Sequence, residues 1–155
     1  MIAAAVDALA PVCVLGHEAF AYGLATSLCR APRRALFAWG ADVLQYAAMT
    51  DVAGAMVRNE SIGGPSNKRG TVAMARTSDP HSATAQFFVN VKDNLFLDAG
   101  PRHPGGFGYT VFGHVVEGMD VADKMVATPT GAAGPFDQDA PKTPIVLTKA
   151  TIIAR

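Results

Sequence analysis

The sequence predicts a mainly β fold, a sandwich or barrel with one short helix. Two observations carry this. Beyond residue 56, short runs rich in Val, Ile, Thr and Phe recur between clusters of Gly, Pro, Ser and Asn. Only one stretch in that part of the chain has clean helical spacing, and it is short. A chain of 155 residues fits a single domain, 1–155, that buries one sizeable core.

The character of the chain changes near residue 50. Before it, Ala and Leu dominate, and their propensity predicts helices over Glu18–Leu28 and Ala35–Met49, separated by Pro32. After it, Ser61–Lys68 reads as a loop. Gly70–Thr77 and Gln86–Lys92 read as strands around a polar connection in which Asp79-Pro80 makes a turn. The Gly/Pro-rich Ala99–Gly108 is a second loop, and Tyr109–Val116 a third strand. Met119–Ala127 is the helix: Gly118 precedes it, Pro129 stops it, and Val121, Ala122, Met125 and Val126 share one face. Thr128–Pro144 reads as a loop. Ile145–Ile153 closes the series as a strand, with Ile145, Leu147, Lys149, Thr151 and Ile153 on one face and Val146, Thr148, Ala150 and Ile152 on the other.

Composition removes several function classes. The formal net charge is +0 and 17% of residues are charged, so the chain lacks the basic field of a nucleic-acid binder. Arg30, Arg33 and Arg34 form one small cluster, read as a solvated patch. Cys13 and Cys29 are read as reduced thiols in a cytoplasmic protein. Residues 1–15 are apolar, but Asp7 interrupts them and no Lys or Arg precedes them, which argues against a signal peptide. No apolar run reaches the ~18 residues of a membrane span. His81, His103 and His114 lie too far apart for a metal-ligand spacing, so neither metal nor cofactor is expected.

Residues 69–98 hold the candidate chemistry. Met74, Phe87, Phe88, Phe96 and Leu97 stand beside Gln86, Asn90 and Asn94, the composition of a shallow apolar pocket with a few orienting hydrogen-bond groups. Taken singly, each phenylalanine, Phe112 included, reads as core, and Gln86 as a surface amide.

The motif order decides between these readings. GTVAMART, then HSATAQFFVNVKDNLFLD, then FGYTVFGHVVEGMDVADKM closely resemble bacterial-type cyclophilins, the peptidyl-prolyl cis–trans isomerases, from about Val57 to Ile153. The resemblance implies a closed, eight-stranded antiparallel β-barrel with a short helix capping each open end and the active groove outside. It implies rotation of Xaa-Pro bonds during protein folding. Expected partners are proline-containing peptides, unfolded proteins and cyclosporin-type ligands; the chain is expected to be a monomer. By position, Phe88 corresponds to the floor under the proline ring, and Phe96 and Leu97 to the aromatic–aliphatic pair at its side. Tyr109 stands where many eukaryotic members carry His. Gln86 matches the amide that binds substrate backbone. Ala75, Arg76 and Thr77 match the strand that pairs with an extended peptide.

The family's Phe-His-Arg, Gly-Phe-Met and Gln-Gly-Gly motifs do not occur in residues 1–50. The resemblance therefore assigns no catalytic residue; Arg34 and Trp39 stand near the right place but outside that motif. Two functional expectations follow: an isomerase, or a proline-peptide binding module lacking the family's catalytic Arg. If the first strands are missing or replaced, the barrel has two unpaired edges, which lowers stability and invites assembly through them.

Overall fold

In a computed structural model, the described residues are 2–6, 12–16, 34–39, 43–46, 56–84, 86–133 and 136–152. The described residues form ten strands: β1 (Ile2–Val6), β2 (Val12–Gly16), β3 (Arg34–Trp39), β4 (Val43–Tyr46), β5 (Thr71–Met74), β6 (Phe87–Asn90), β7 (Val111–Glu117), β8 (Thr130–Ala133), β9 (Phe136–Pro141) and β10 (Ile145–Ile152). Eight of them close into a barrel in the order β1-β10-β3-β4-β6-β5-β7-β2, and every neighbouring pair is antiparallel. Closure removes the sheet edges.

This overturns the expectation of missing first strands, since β1 to β4 supply half of the ring. It also overturns the helix expected over Ala35–Met49, where β3 and β4 pair from Leu36↔Tyr46 to Trp39↔Val43. Helix propensity is worth less than about 1 kcal/mol per residue. Each of these strands gains a partner on both sides, β10 and β4 for β3, β3 and β6 for β4. Phe37, Trp39, Val43 and Tyr46 are moreover residue types that suit a pleated surface. The helix expected over Glu18–Leu28 lies outside the described residues.

In the second half, each expected strand forms within a few residues of its sequence limits. The short helix α1, Met119–Val126, starts at Gly118, whose φ of 88° is a conformation that favours glycine. Val121, Ala122 and Met125 are its buried face, and it packs against β2 and β4. Arg69, just before β5, makes a two-pronged ion pair with Asp123 of α1 at 3.0 and 2.8 Å. The loop expected over Thr128–Pro144 instead contains the two-stranded β8–β9 ladder. Its Gly, Pro and Asp content concealed the pairing, whose register shifts between Gly131 and Ala133 and whose Asp139 has a φ of 65°. The described core gathers Val72, Ala73, Met74, Phe88 and Val89 of β5 and β6 with the buried face of α1.

Candidate active site

The ladder between β5 and β6 sets Ala73 opposite Phe88 and Met74 opposite Phe87. Past the ladder, the Ala75 amide still donates to the Gln86 carbonyl at 3.0 Å, and the Met74 amide to the Thr110 carbonyl at 3.0 Å. The ends of β5 and β6 and the approach to β7 therefore converge. Side chains alternate along a strand, so Phe87 and Phe88 diverge. Phe87 meets Phe112 edge to face at 6.4 Å, whereas Phe88 meets Tyr109 edge to face at 5.7 Å. Phe87, expected in the pocket wall, belongs to the Phe112 side instead.

The second wall is a single 3-10 turn, Leu95–Leu97, started by the Leu97 amide donating to the Asn94 carbonyl at 2.9 Å. Its Leu97 carbonyl accepts the Tyr109 amide at 2.8 Å. Gly108 permits this approach: a Cβ there would lie 2.4 Å from the Leu97 carbonyl oxygen. His103 bonds the Phe96 carbonyl through Nε2 at 2.9 Å and sets its ring edge-on to Tyr109 at 6.1 Å. Phe88 is 5% exposed and Phe96 48%, so the aromatic group runs from a buried floor to an open rim.

Arg76 spans the site through its side chain. Nε donates to the Gly108 carbonyl at 3.2 Å, one terminal nitrogen to the Phe107 carbonyl at 2.8 Å, and the other to its neighbour Thr77 at 2.9 Å. The guanidinium carbon lies 4.7 Å from the Tyr109 ring centre, a cation–π contact. Thr77 turns away into the loop to Ser82: its amide bonds Ser82 Oγ at 2.9 Å, and that hydroxyl donates to the Asp79 carbonyl at 2.7 Å. His81 packs on Phe107, and its Nδ1 accepts the Asn59 amide at 3.1 Å.

Behind the walls lies a buried polar network. Asn67 Nδ2 donates to the Tyr109 carbonyl at 3.1 Å and to Asp98 at 3.0 Å, while Asn90 Nδ2 donates to Asn67 Oδ1 at 3.1 Å. The Asn94 amide donates to the Asn67 carbonyl at 2.8 Å. Asn90 and Asn94 are fully buried, so they brace the walls and do not line the pocket as the sequence suggested. Asn59 Nδ2 ties the Pro80 and Gly108 carbonyls together at 3.1 and 3.0 Å. Burial pushes the Asp98 carboxyl up, but hydrogen bonds from Ser66 Oγ and from the Asn67 amide and side chain, with the charge of Lys68, outweigh it. The net result is a carboxyl held below its ordinary value.

Of the sequence candidates, Ala75, Arg76, Gln86, Phe88, Leu97 and Tyr109 come together directly. Phe96 forms the rim of the same group, and Thr77 stands outside it on the exposed loop. Sequence reasoning missed His103, Asn67, Asp98 and the placement of the Arg76 guanidinium. Among the described residues, no group of three or more His, Cys, Asp or Glu side chains is arranged to hold a metal ion. None of the described helices is long and apolar enough to cross a membrane.

A family model described as cyclophilin type peptidyl-prolyl cis-trans isomerase/CLD matches residues 39–152. Peptidyl-prolyl cis-trans isomerase cyp18 of Streptomyces antibioticus is 52% identical over 99 residues, covering 64% of this chain and 59% of that protein. Peptidyl-prolyl cis-trans isomerase A of Dickeya dadantii is 54% identical over 99 residues, 64% of this chain and 50% of its own. Isomerase B of Escherichia coli is 50% identical over 96 residues, 62% of this chain and 58% of its own. The match thus spans less than two thirds of these relatives' length. A crystal structure of a Cryptosporidium parvum cyclophilin-type isomerase, obtained in the presence of the dipeptide Ala-Pro, superposes with a TM-score of 0.76 at 13% identity, covering 99% of both chains.

Proposed function

The chain belongs to the cyclophilin-type peptidyl-prolyl cis-trans isomerase family, and we propose that it accelerates rotation about Xaa-Pro bonds in folding or unstructured polypeptides. The observation that carries this is the aromatic cradle of Phe88 and Tyr109, locked to the Leu95–Leu97 turn by the Tyr109 amide. Rotation about a peptide bond costs ~18–20 kcal/mol, because the nitrogen lone pair is conjugated with the carbonyl. Before proline the two isomers are nearly balanced but exchange slowly. The reaction needs no nucleophile and no redox step. It needs the proline ring held while the carbonyl swings, and surroundings that favour the twisted amide over the planar one.

Phe88 serves as floor, with Phe96, Leu97 and Tyr109 as walls for the ring. The planar amide is the more charge-separated form, so apolar surroundings favour twisting. Gln86 lies beside Ala75 and is proposed to hold substrate backbone. In Ala75–Thr77 the first and last amides already have partners, Gln86 and Ser82. The Thr77 carbonyl accepts from the Arg76 side chain, so peptide pairing along this segment is proposed to fall to the Arg76 backbone. Cyclosporin-type ligands, which present an extended backbone, are proposed for the same groove. Two cysteines in a chain with a core of this size suit a reducing, cytoplasmic setting.

Identities of 50–54% with isomerases favour turnover over a binding-only module. Exchange NMR on a peptide of sequence Ala-Ala-Pro-Phe tests it. Catalytic amounts of protein should speed cis–trans exchange, and Phe88→Leu should slow it. An exchange rate equal to the uncatalysed one, with the protein folded, overturns the proposal.

A further inference from the structure

We infer that Arg76 makes the groove selective for prolines flanked by an acidic residue. This rests on the isomerase reading only in that a proline must seat on Phe88 and Tyr109. The guanidinium is held by three carbonyl oxygens, those of Thr77, Phe107 and Gly108, and by the Tyr109 ring. Carbonyls orient a cation without cancelling its charge. The ion pairs of the described residues that surround the barrel are instead made elsewhere, Arg69 with Asp123 and Lys124 with Asp120. Among the described residues Arg76 is in no ion pair, and the Asp79 carboxylate instead accepts the His81 amide.

Position gives this charge its function. The guanidinium lies on one face of Tyr109, and Phe88 meets that same ring edge to face. The charge is thus one aromatic ring away from the pocket floor. Three bonds and a stacked ring fix the guanidinium, so little of its side-chain entropy remains to be lost when it meets an anion. Three of its five N–H groups serve these carbonyls among the described residues, which leaves two for an incoming anion. An extended peptide advances ~3.3 Å per residue, and the guanidinium lies 4.7 Å from the Tyr109 ring centre, so the side chain next to a proline seated against that ring is proposed to meet it. A carboxylate there gains a charge-assisted contact, a neutral side chain gains none, and an ammonium is repelled.

The test is NMR titration of the protein with Ala-Glu-Pro-Ala, Ala-Gln-Pro-Ala and Ala-Lys-Pro-Ala, and with the same residues placed after the proline, read at the Phe88 and Tyr109 amides. In at least one register the Glu peptide should bind about three-fold more tightly than the Gln peptide at low salt, the scale of a partly exposed ion pair. The Lys peptide should be weakest, and the gap should narrow at ~0.5 M salt. Arg76→Gln should bring the Glu-to-Gln affinity ratio to one, and Arg76→Lys should keep it above one. Equal affinities in both registers, a ratio unchanged in Arg76→Gln, or Arg76→Gln weakening both peptides by the same factor would overturn the inference. If no peptide shifts those amides, the isomerase reading itself fails, a distinct outcome.

Discussion

The amide of Tyr109 donates to the carbonyl of Leu97 at 2.8 Å, joining the two walls of the aromatic cradle by one backbone bond. The neighbouring residues set that bond: Gly108 lets the two segments approach, and Asp98 anchors the turn to Asn67.

Gly108→Ala should break this junction. The new Cβ would meet backbone atoms of Leu97, Asp98 and Ala99 at 2.4–2.5 Å, and backbone cannot swing aside as a side chain does. Overpacking of this kind costs about 1–3 kcal/mol. A lower melting temperature, with faster hydrogen exchange at the Tyr109 amide, is the expected result.

Asp98→Asn should destabilise by about 1–2 kcal/mol in urea unfolding, since a carboxylate accepting several hydrogen bonds becomes an amide that can accept fewer. The pH dependence has a definite sign. The folded-state carboxyl is held below its ordinary value of 3.8. Its contribution is therefore present above that value and is lost as pH falls through the lower, folded one. Asp123, lowered by its hydrogen bond from Arg69, adds a limb of the same sign. The acid limb of the stability profile should be flatter in Asp98→Asn than in the parent.

Phe88→Ala removes a side chain that is 5% exposed. About 3–5 kcal/mol of stability should go with it. Phe88→Leu keeps most of the volume, so a melt near the parent's with weaker proline binding would separate pocket chemistry from core packing.

By contrast, Asp123→Asn should cost no more than about 1 kcal/mol and lose its effect in high salt. The Arg69–Asp123 pair has good two-pronged geometry, but its side chains are 45% and 49% exposed. Urea unfolding at two salt concentrations checks this.

The second half of the barrel was legible because β5, β6, β7 and β10 are short runs rich in Val, Ile, Thr and Phe, bounded by Gly, Pro and Asn. Strands β3 and β4 were not. Their Ala- and Leu-rich sequence leans to helix, and the pairing that overrides it comes from residues distant in the chain, Ile145 with Leu36 and Asn90 with Val43. At the site, the motif around Phe88, Phe96, Leu97 and Tyr109 located the cradle. It did not foretell that Arg76 folds back over Tyr109, because that contact exists only once the loop from Ala99 to Gly108 returns. Nor did it distinguish Phe87 from Phe88, or Asn90 and Asn94 from pocket amides. The first distinction is one of strand face, and the second one of burial behind the wall.

The most direct measurement is a 15N-resolved titration with a short Ala-Pro peptide. The amides of Gln86, Phe88, Leu97 and Tyr109 should shift together on one saturable curve while those of α1 stay in place. Shifts absent from all four, in a protein whose spectrum is folded, would contradict it.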